Sequence, residues 1–454
     1  MRSYTRFLGT LWAAAALAAC TSSSGVPDPG DPVDPDDPNL AIASCEGCHK
    51  DYEALKTLHT PDSIIPTGGC SGPPPYIQPY DRVFLSETGF ASFKASPHGA
   101  LKCTDCHGGN NATADKALAH SGTFVKQPSF QALQTCEGCH KEVVSGFKNG
   151  IHYNGWGQKN SQITRAGVSS FDQLHQGIKT GYQQNCATCH ASCGSCHVNR
   201  PPAAGGGLMN GHDFGPPDMR DNCTACHSSR GGHAYYGVGT GTKPDIHLTQ
   251  AGFTCLNCHT TGEMHASDGK VYANRYQVED LPDCKDCHAG LETSNGYHST
   301  HMDDFNCNVC HSQDYNTCGS CHVAGEGARI HSHQSFKIGL NPLKSEKPYE
   351  FSTVRRTLAA PDSWSVYGVE NLPNFNAKPI YNYTSPHNIQ RWTTRTEFKG
   401  GFCYSSCHIV LENGVYKNRN LYLFSSDFQA DWEREAAKAV VVDGKLPRSW
   451  GNPE

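Results

Sequence analysis

Two cysteines followed at once by a histidine recur eleven times along this 454-residue chain, and that triplet has a defined chemistry. Ten copies are strict C-x-x-C-H: Cys45-Cys48-His49, Cys103-Cys106-His107, Cys136-Cys139-His140, Cys186-Cys189-His190, Cys193-Cys196-His197, Cys223-Cys226-His227, Cys255-Cys258-His259, Cys284-Cys287-His288, Cys307-Cys310-His311 and Cys318-Cys321-His322. The eleventh, Cys403-Tyr404-Ser405-Ser406-Cys407-His408, has one more residue between its cysteines. Two thiols at this spacing add as thioethers to the vinyl groups of one haem, and the adjacent imidazole is then held under the iron as proximal ligand. The longer loop still lets both sulfurs reach one porphyrin. Twenty-two of the 24 cysteines fall in these motifs, leaving Cys20 and Cys70. A disulfide framework has no reason to place a histidine after every second cysteine. Zinc knuckles would pair into four-ligand units and need no remote histidines. The pattern implies about eleven covalent c-type haems.

Each iron has a sixth position, and the histidine count bears on it. Of 25 histidines, 14 lie outside the motifs. The candidate distal ligands are His98, His120, His152, His212, His247, His265, His298, His301, His331, His333 and His387. His59, His175 and His233 are left as the surplus. His387 is the natural partner for a haem of the C-terminal region, being the only non-motif histidine between His333 and Cys403. After Met1 only Met209, Met219, Met264 and Met302 remain, so His/Met ligation could serve four sites at most. Bis-His iron lies at lower potential than Met/His iron.

The elements that must position these groups are small. Hydrophobic residues make up 37% of the chain, while 46 glycines and 27 prolines punctuate it. That is too loop-rich for an ordinary layered core, and porphyrins would supply the missing apolar volume. The expected fold is a multihaem one: mostly irregular coil with short α-helices wrapped around a haem array, with little β-structure beyond small hairpins. Residues 41–330 read as a decahaem array with too little chain between motifs for separate domains. Residues 331–454 read as a C-terminal region with one haem, ending in a helix over Ser426–Val440. Short helices are also expected at Lys141–Gly150 and Phe171–Gln184. CATCHASCGSCHV (186–198) and CNVCHSQDYNTCGSCHV (307–323) echo one another, and their short tethers call for paired haems.

The N-terminus reads as an export signal. Arg2 and Arg6 precede the apolar run Leu8–Ala19, which is too short for a stable span and stops at Leu17-Ala18-Ala19-Cys20. That ending resembles a bacterial lipoprotein box, which implies lipidation of Cys20, and Thr21 after it favours the outer membrane. The segments are therefore a signal at 1–19 and a lipidated Cys20 with a Pro/Asp-rich tether over 20–40. The expected location is an outer-membrane lipoprotein, at the cell surface or on the periplasmic face. The membrane is met through the lipid anchor alone. Net charge is −6, or −8 without Arg2 and Arg6. Propionates would make it more acidic, which argues against nucleic acid as a partner. Cys70 is an unpaired exported thiol.

Together these features resemble the outer-surface multihaem (undecahaem) c-type cytochromes of metal-respiring bacteria. The resemblance rests on Cys20, the eleven motifs and the stretch 45–322. It implies an electron-transfer protein that is not an enzyme, with redox-partner cytochromes or extracellular acceptors such as metal oxides. The long β-rich domains that interleave the haem blocks of the larger members have no counterpart here, so their acceptor specificity does not transfer. Two other functions fit the motifs. One is a reductase of a small nitrogen or sulfur oxyanion with one open haem, for which Arg230, Tyr235 and Tyr236 near Cys223–His227, or the odd Cys403 motif, are the candidates. The other is a filament-forming cytochrome.

Overall fold

The computed structural model describes residues 43–63, 76–187, 190–238, 242–315, 336–357, 360–397 and 403–447, apart from the side chains of residues 229 and 230. Cys20, Cys70, Cys189, Cys318, Cys321, His322, His331 and His333 lie outside the described residues, as do the signal and tether.

The chain is mostly short helices and coil with little strand. Its residue contacts divide it into two units: 1–153 with 191–225 and 265–269, and 154–190 with 226–264 and 270–454. The division does not fall at 330. Motifs from Cys255 onward fall in the same unit as the C-terminal region, whose apolar core takes in Cys310 and Cys407.

In the first unit, buried side chains are sparse and local, among them Leu85, Phe90, Leu133, Val144 and Phe147. Val144 and Phe147 sit on the helix Lys141–Asn149, which ends at Gly150 as the spacing predicts. The helix expected over Phe171–Gln184, in the second unit, is broken. A 3-10 turn covers Phe171–Gln173, and an α-helix begins only at Gln176, where His175 Nδ1 accepts the Gly177 N–H.

The second unit has a conventional core. Strands β1 (Lys337–Leu340), β2 (Phe351–Arg356) and β3 (Tyr381–Tyr383) form an antiparallel sheet in the order β1-β2-β3. Leu340 pairs with Phe351 and Val354 with Tyr383. Being central, β2 is buried from Phe351 to Val354 on both faces rather than alternating. A hairpin of β4 (Val410–Glu412) and β5 (Val415–Lys417) follows the last motif. One cluster joins Phe305, Val309, Ile338, Phe351, Ile409, Tyr422 and Phe424, with Cys310 and Cys407 packed against it. A second joins Val354, Ile380, Leu423, Phe428, Ala436 and Val440. The terminal helix is shorter than the apolar spacing suggests, Asp431–Ala437. Before it, Asp427 accepts the Phe424 N–H at 2.9 Å and pairs with Arg419 at 2.7 Å, which fixes Ser425–Asp427 as a separate 3-10 turn.

Candidate functional site

Many of the described motifs begin a single helical turn: Cys45–Lys50, Cys103–His107, Cys193–His197, Cys284–Cys287 and Cys307–His311. Residues three apart share a helix face, so the two sulfurs emerge side by side with the histidine next to them. Four motifs close the turn with one device. Asp105, Ser195, Asn257 and Asp286, each just before the second cysteine, accept the backbone N–H of the residue preceding the first. The donors are Lys102, Ser192, Thr254 and Asp283, at 2.7–3.1 Å. This is the reciprocal half of a capping box. In the longer motif the turn is Tyr404–Cys407, and His408 N–H donates to Tyr404 O at 2.8 Å.

Eight motif histidines are met by a second imidazole. In the first unit His49 meets His120 with ring centroids 6.1 Å apart, and His140 meets His98 at 6.0 Å. His107 meets His212 at 6.0 Å and His197 meets His265 at 6.2 Å. In the second unit His259 meets His387 at 6.4 Å and His288 meets His247 at 6.0 Å. His311 meets His298, and His408 meets His301, each at 6.2 Å. Imidazoles bound on opposite sides of one metal, with metal–nitrogen bonds of about 2 Å, put their centroids roughly 6 Å apart. Among the described residues no three His, Cys, Asp or Glu side chains converge as a bare metal site needs. The imidazole pairs at these eight motifs therefore fit a metal held between two rings, and at all of them but the Cys136–His140 motif both cysteines are also outside any disulfide, as a haem attachment would need. His387 does not serve the Cys403 motif as expected. Gln390 N–H donates to His311 O, and Ile389 bridges Ser312, so the chain at 387–390 is bound beside the ninth motif and not the eleventh.

The other ring nitrogen of these histidines is tied down. Nδ1–H of His49, His107, His197 and His311 donates to Val83 O, Val125 O, Gly215 O and Gln390 O at 2.9–3.1 Å. On the opposing side, His120, His298 and His301 donate to Lys116 O, Leu291 O and Tyr297 O at 2.7–3.2 Å. His259 and His247 face carboxylates, Glu263 at 2.9 Å and Asp245 at 2.8 Å. A carbonyl or carboxylate only accepts, so the proton sits on Nδ1 and Nε2 keeps its lone pair for a metal. Gly108 makes one of these bonds possible. Its φ of +63° turns the chain so that Val125 returns over His107, and a Cβ there would lie 2.4 Å from Thr123 O. His212 departs from the pattern, with a φ of 80° and a buried Nδ1 that has no hydrogen-bond partner. Burial pushes His212 and His387 down to about 4, which keeps both rings in the neutral form that binds metal. His387 is nonetheless solvent-exposed.

The remaining motif histidines are His190, His227 and His322. At His190 the arrangement does not fit a haem. The Tyr182 hydroxyl stands 2.9 Å from Nε2, the nitrogen an iron would need, and a Cβ on Gly155 would come within 2.2 Å of the same atom. The expectation for Cys186 and His190 is corrected accordingly: Tyr182, fully buried, holds the ring as a hydrogen-bonded group. Of the other distal candidates, His152 offers its carbonyl to Ala191 N–H. His59 donates Nδ1–H to Lys56 O at 2.7 Å and edges onto Tyr80, and His233 opens the short helix His233–Tyr236. Tyr235 donates to Phe253 O at 2.6 Å, and burial raises its phenol well above the usual range.

The cysteines give the order of the motifs. Cys136 and Cys193 share a hydrogen bond, as do Cys284 and Cys307. Cys45 lies in electrostatic reach of Cys103, Cys106 of Cys136, and Cys196 of Cys223. The second unit repeats this with Cys258 and Cys287, then Cys310 and Cys407. The series runs from Cys45 through Cys103, Cys136 and Cys193 to Cys223 in the first unit. In the second it runs from Cys255 through Cys284 and Cys307 to Cys403. Cys193 has Cys136 as its neighbour in the first unit. Eighteen motif cysteines form no disulfide, whereas Cys139 is disulfide-bonded. A sulfur in a disulfide cannot also be a thioether, so the expectation for Cys139 rests on its motif alone. Comparison with protein-family models, curated proteins and solved structures finds no match.

Proposed function

We propose that this protein is an electron carrier that passes electrons along two series of covalently bound, bis-histidine c-type haems, in extracellular respiration. The observation that supports this reading is the set of eight opposed imidazole pairs, each built on a C-x-x-C-H-type motif with centroids 6.0–6.4 Å apart. Haem would supply a one-electron iron couple. The chain's own part is to hold: the thiols would carry the group, the paired imidazoles would hold its iron, and Nδ1 bonds set the tautomer of the rings that make them. Iron held between two imidazoles would leave substrate no place to bind at these eight motifs, and thiols of successive motifs lie within electrostatic reach of one another. The partners are redox cytochromes and extracellular acceptors. No helix among the described residues is long and apolar enough to cross a membrane, and attachment through a lipidated Cys20 belongs to this proposal.

The test is the intact mass of the exported protein with low-temperature EPR of its oxidised form. Eight or more haems per chain, with at least eight low-spin, is the expected result. Fewer than eight low-spin irons overturns it.

A further inference from the structure

Two of the eight pairs carry a carboxylate on a ligand ring, and both are in the second unit. Glu263, one helical turn beyond His259, places its oxygens 2.9 and 3.1 Å from His259 Nδ1 and is 12% exposed. Asp245, 3% exposed, accepts from His247 Nδ1 at 2.8 Å. The same carboxylate accepts the His247 N–H and the Ile389 N–H, each at 2.8 Å, which fixes its direction. The neighbouring pairs use neutral acceptors: Gln390 O for His311, Leu291 O for His298 and Tyr297 O for His301.

A carboxylate on Nδ1–H makes the ring a more basic ligand and favours the more positive ferric state, the more so where water is excluded. Toward the other end of this unit Arg395, 3% exposed, lies near Cys310 and Cys407 but is paired with Asp314 at 2.7 Å, so no unbalanced carboxylate or guanidinium faces those motifs. Arg275 acts on His387 and opposes Glu263, so the test removes the carboxylate alone.

We propose that Glu263 and Asp245 make the Cys255–His259 and Cys284–His288 motifs the low-potential end of the second unit's series. Electrons enter there from a low-potential one-electron donor and leave toward Cys307–His311 and Cys403–His408. Each transfer reduces one ferric iron as its neighbour is oxidised, with no proton or bond changing hands. The inference rests on the haem reading above.

The experiment is an optical redox titration of the full-length holoprotein and its Glu263→Gln variant, with haem counted in both by pyridine haemochrome. Gln keeps the acceptor and the shape and removes only the charge. One haem's share of the absorbance should leave the lowest part of the titration. Its ferrous-to-ferric ratio at fixed potential should rise about tenfold, which is about 59 mV for a one-electron couple. Asp245→Asn should move a second haem the same way, and exposed Glu279→Gln should move none. A Glu263→Gln curve that superimposes on the parent at full haem content, or a control that shifts equally, overturns the inference and leaves the carrier reading intact. A preparation without covalent haem overturns both.

Discussion

Replacing His298 by glycine removes one imidazole from the pair with His311 and leaves the rest of the ninth motif in place. His298 lies on the short helix Gly296–His301, whose start is capped by Asn295 accepting the Tyr297 and His298 N–H groups at 3.0 Å each. Those are backbone bonds and survive the substitution. What is lost are the Nδ1 contacts with Ser294 Oγ at 2.8 Å and Leu291 O at 3.2 Å, half-exposed interactions worth about 0.5–1.5 kcal/mol each. A helix interior glycine adds about 1 kcal/mol. The fold therefore stands, while the distance of 6.2 Å that two rings bridged is left with one ring. One iron of those bound should turn high-spin in low-temperature EPR and take up carbon monoxide or added imidazole. Glycine at His59 or His175, rings that bond only Lys56 O or the Gly177 N–H, should leave the spin count unchanged. The pairing argument is refuted if His298→Gly gives no high-spin iron and no carbon monoxide uptake at full haem content.

Three further outcomes follow from the packing. Asn306→Ala should lower stability by about 1–3 kcal/mol in thermal melts, because it strands the buried Thr353 N–H and Tyr383 hydroxyl that the amide now serves. Ile338→Ala, at the fully buried centre of β1, should cost about 2–5 kcal/mol in denaturant titrations. Gly108→Ala, at a positive φ and against Thr123 O, should destabilise the first unit by more than 1 kcal/mol and shift the EPR signal of one low-spin iron as His107 Nδ1 loses Val125 O.

The motif's geometry was legible in the sequence because C-x-x-C-H is local: thiols and imidazole meet within one turn. The supply of second imidazoles was legible from composition, and His98, His120, His212, His247, His265, His298, His301 and His387 do stand against motif histidines. Which ring meets which was not legible. His49 is met by His120 from beyond the next motif, and His387 reaches back to His259, through loops that carry no periodicity. The three-stranded sheet was missed because β2 is buried on both faces and shows no alternation. The carboxylates had a signal that went unread: Glu263 sits four residues after His259, and Asp245 two before His247. So did the Asp, Ser or Asn before the second cysteine, which closes the motif's own turn.

The last core of the molecule also constrains its history. Cys310 and Cys407 pack under Phe305, Ile338, Ile409 and Tyr422, and burial pushes the Cys310 thiol up to about 12. A thiol so held stays protonated, although it is only half-buried. If haem is joined to it, the joining is easiest before residues 336–357 and 403–447 pack against it, so that the C-terminal strands close on a finished product.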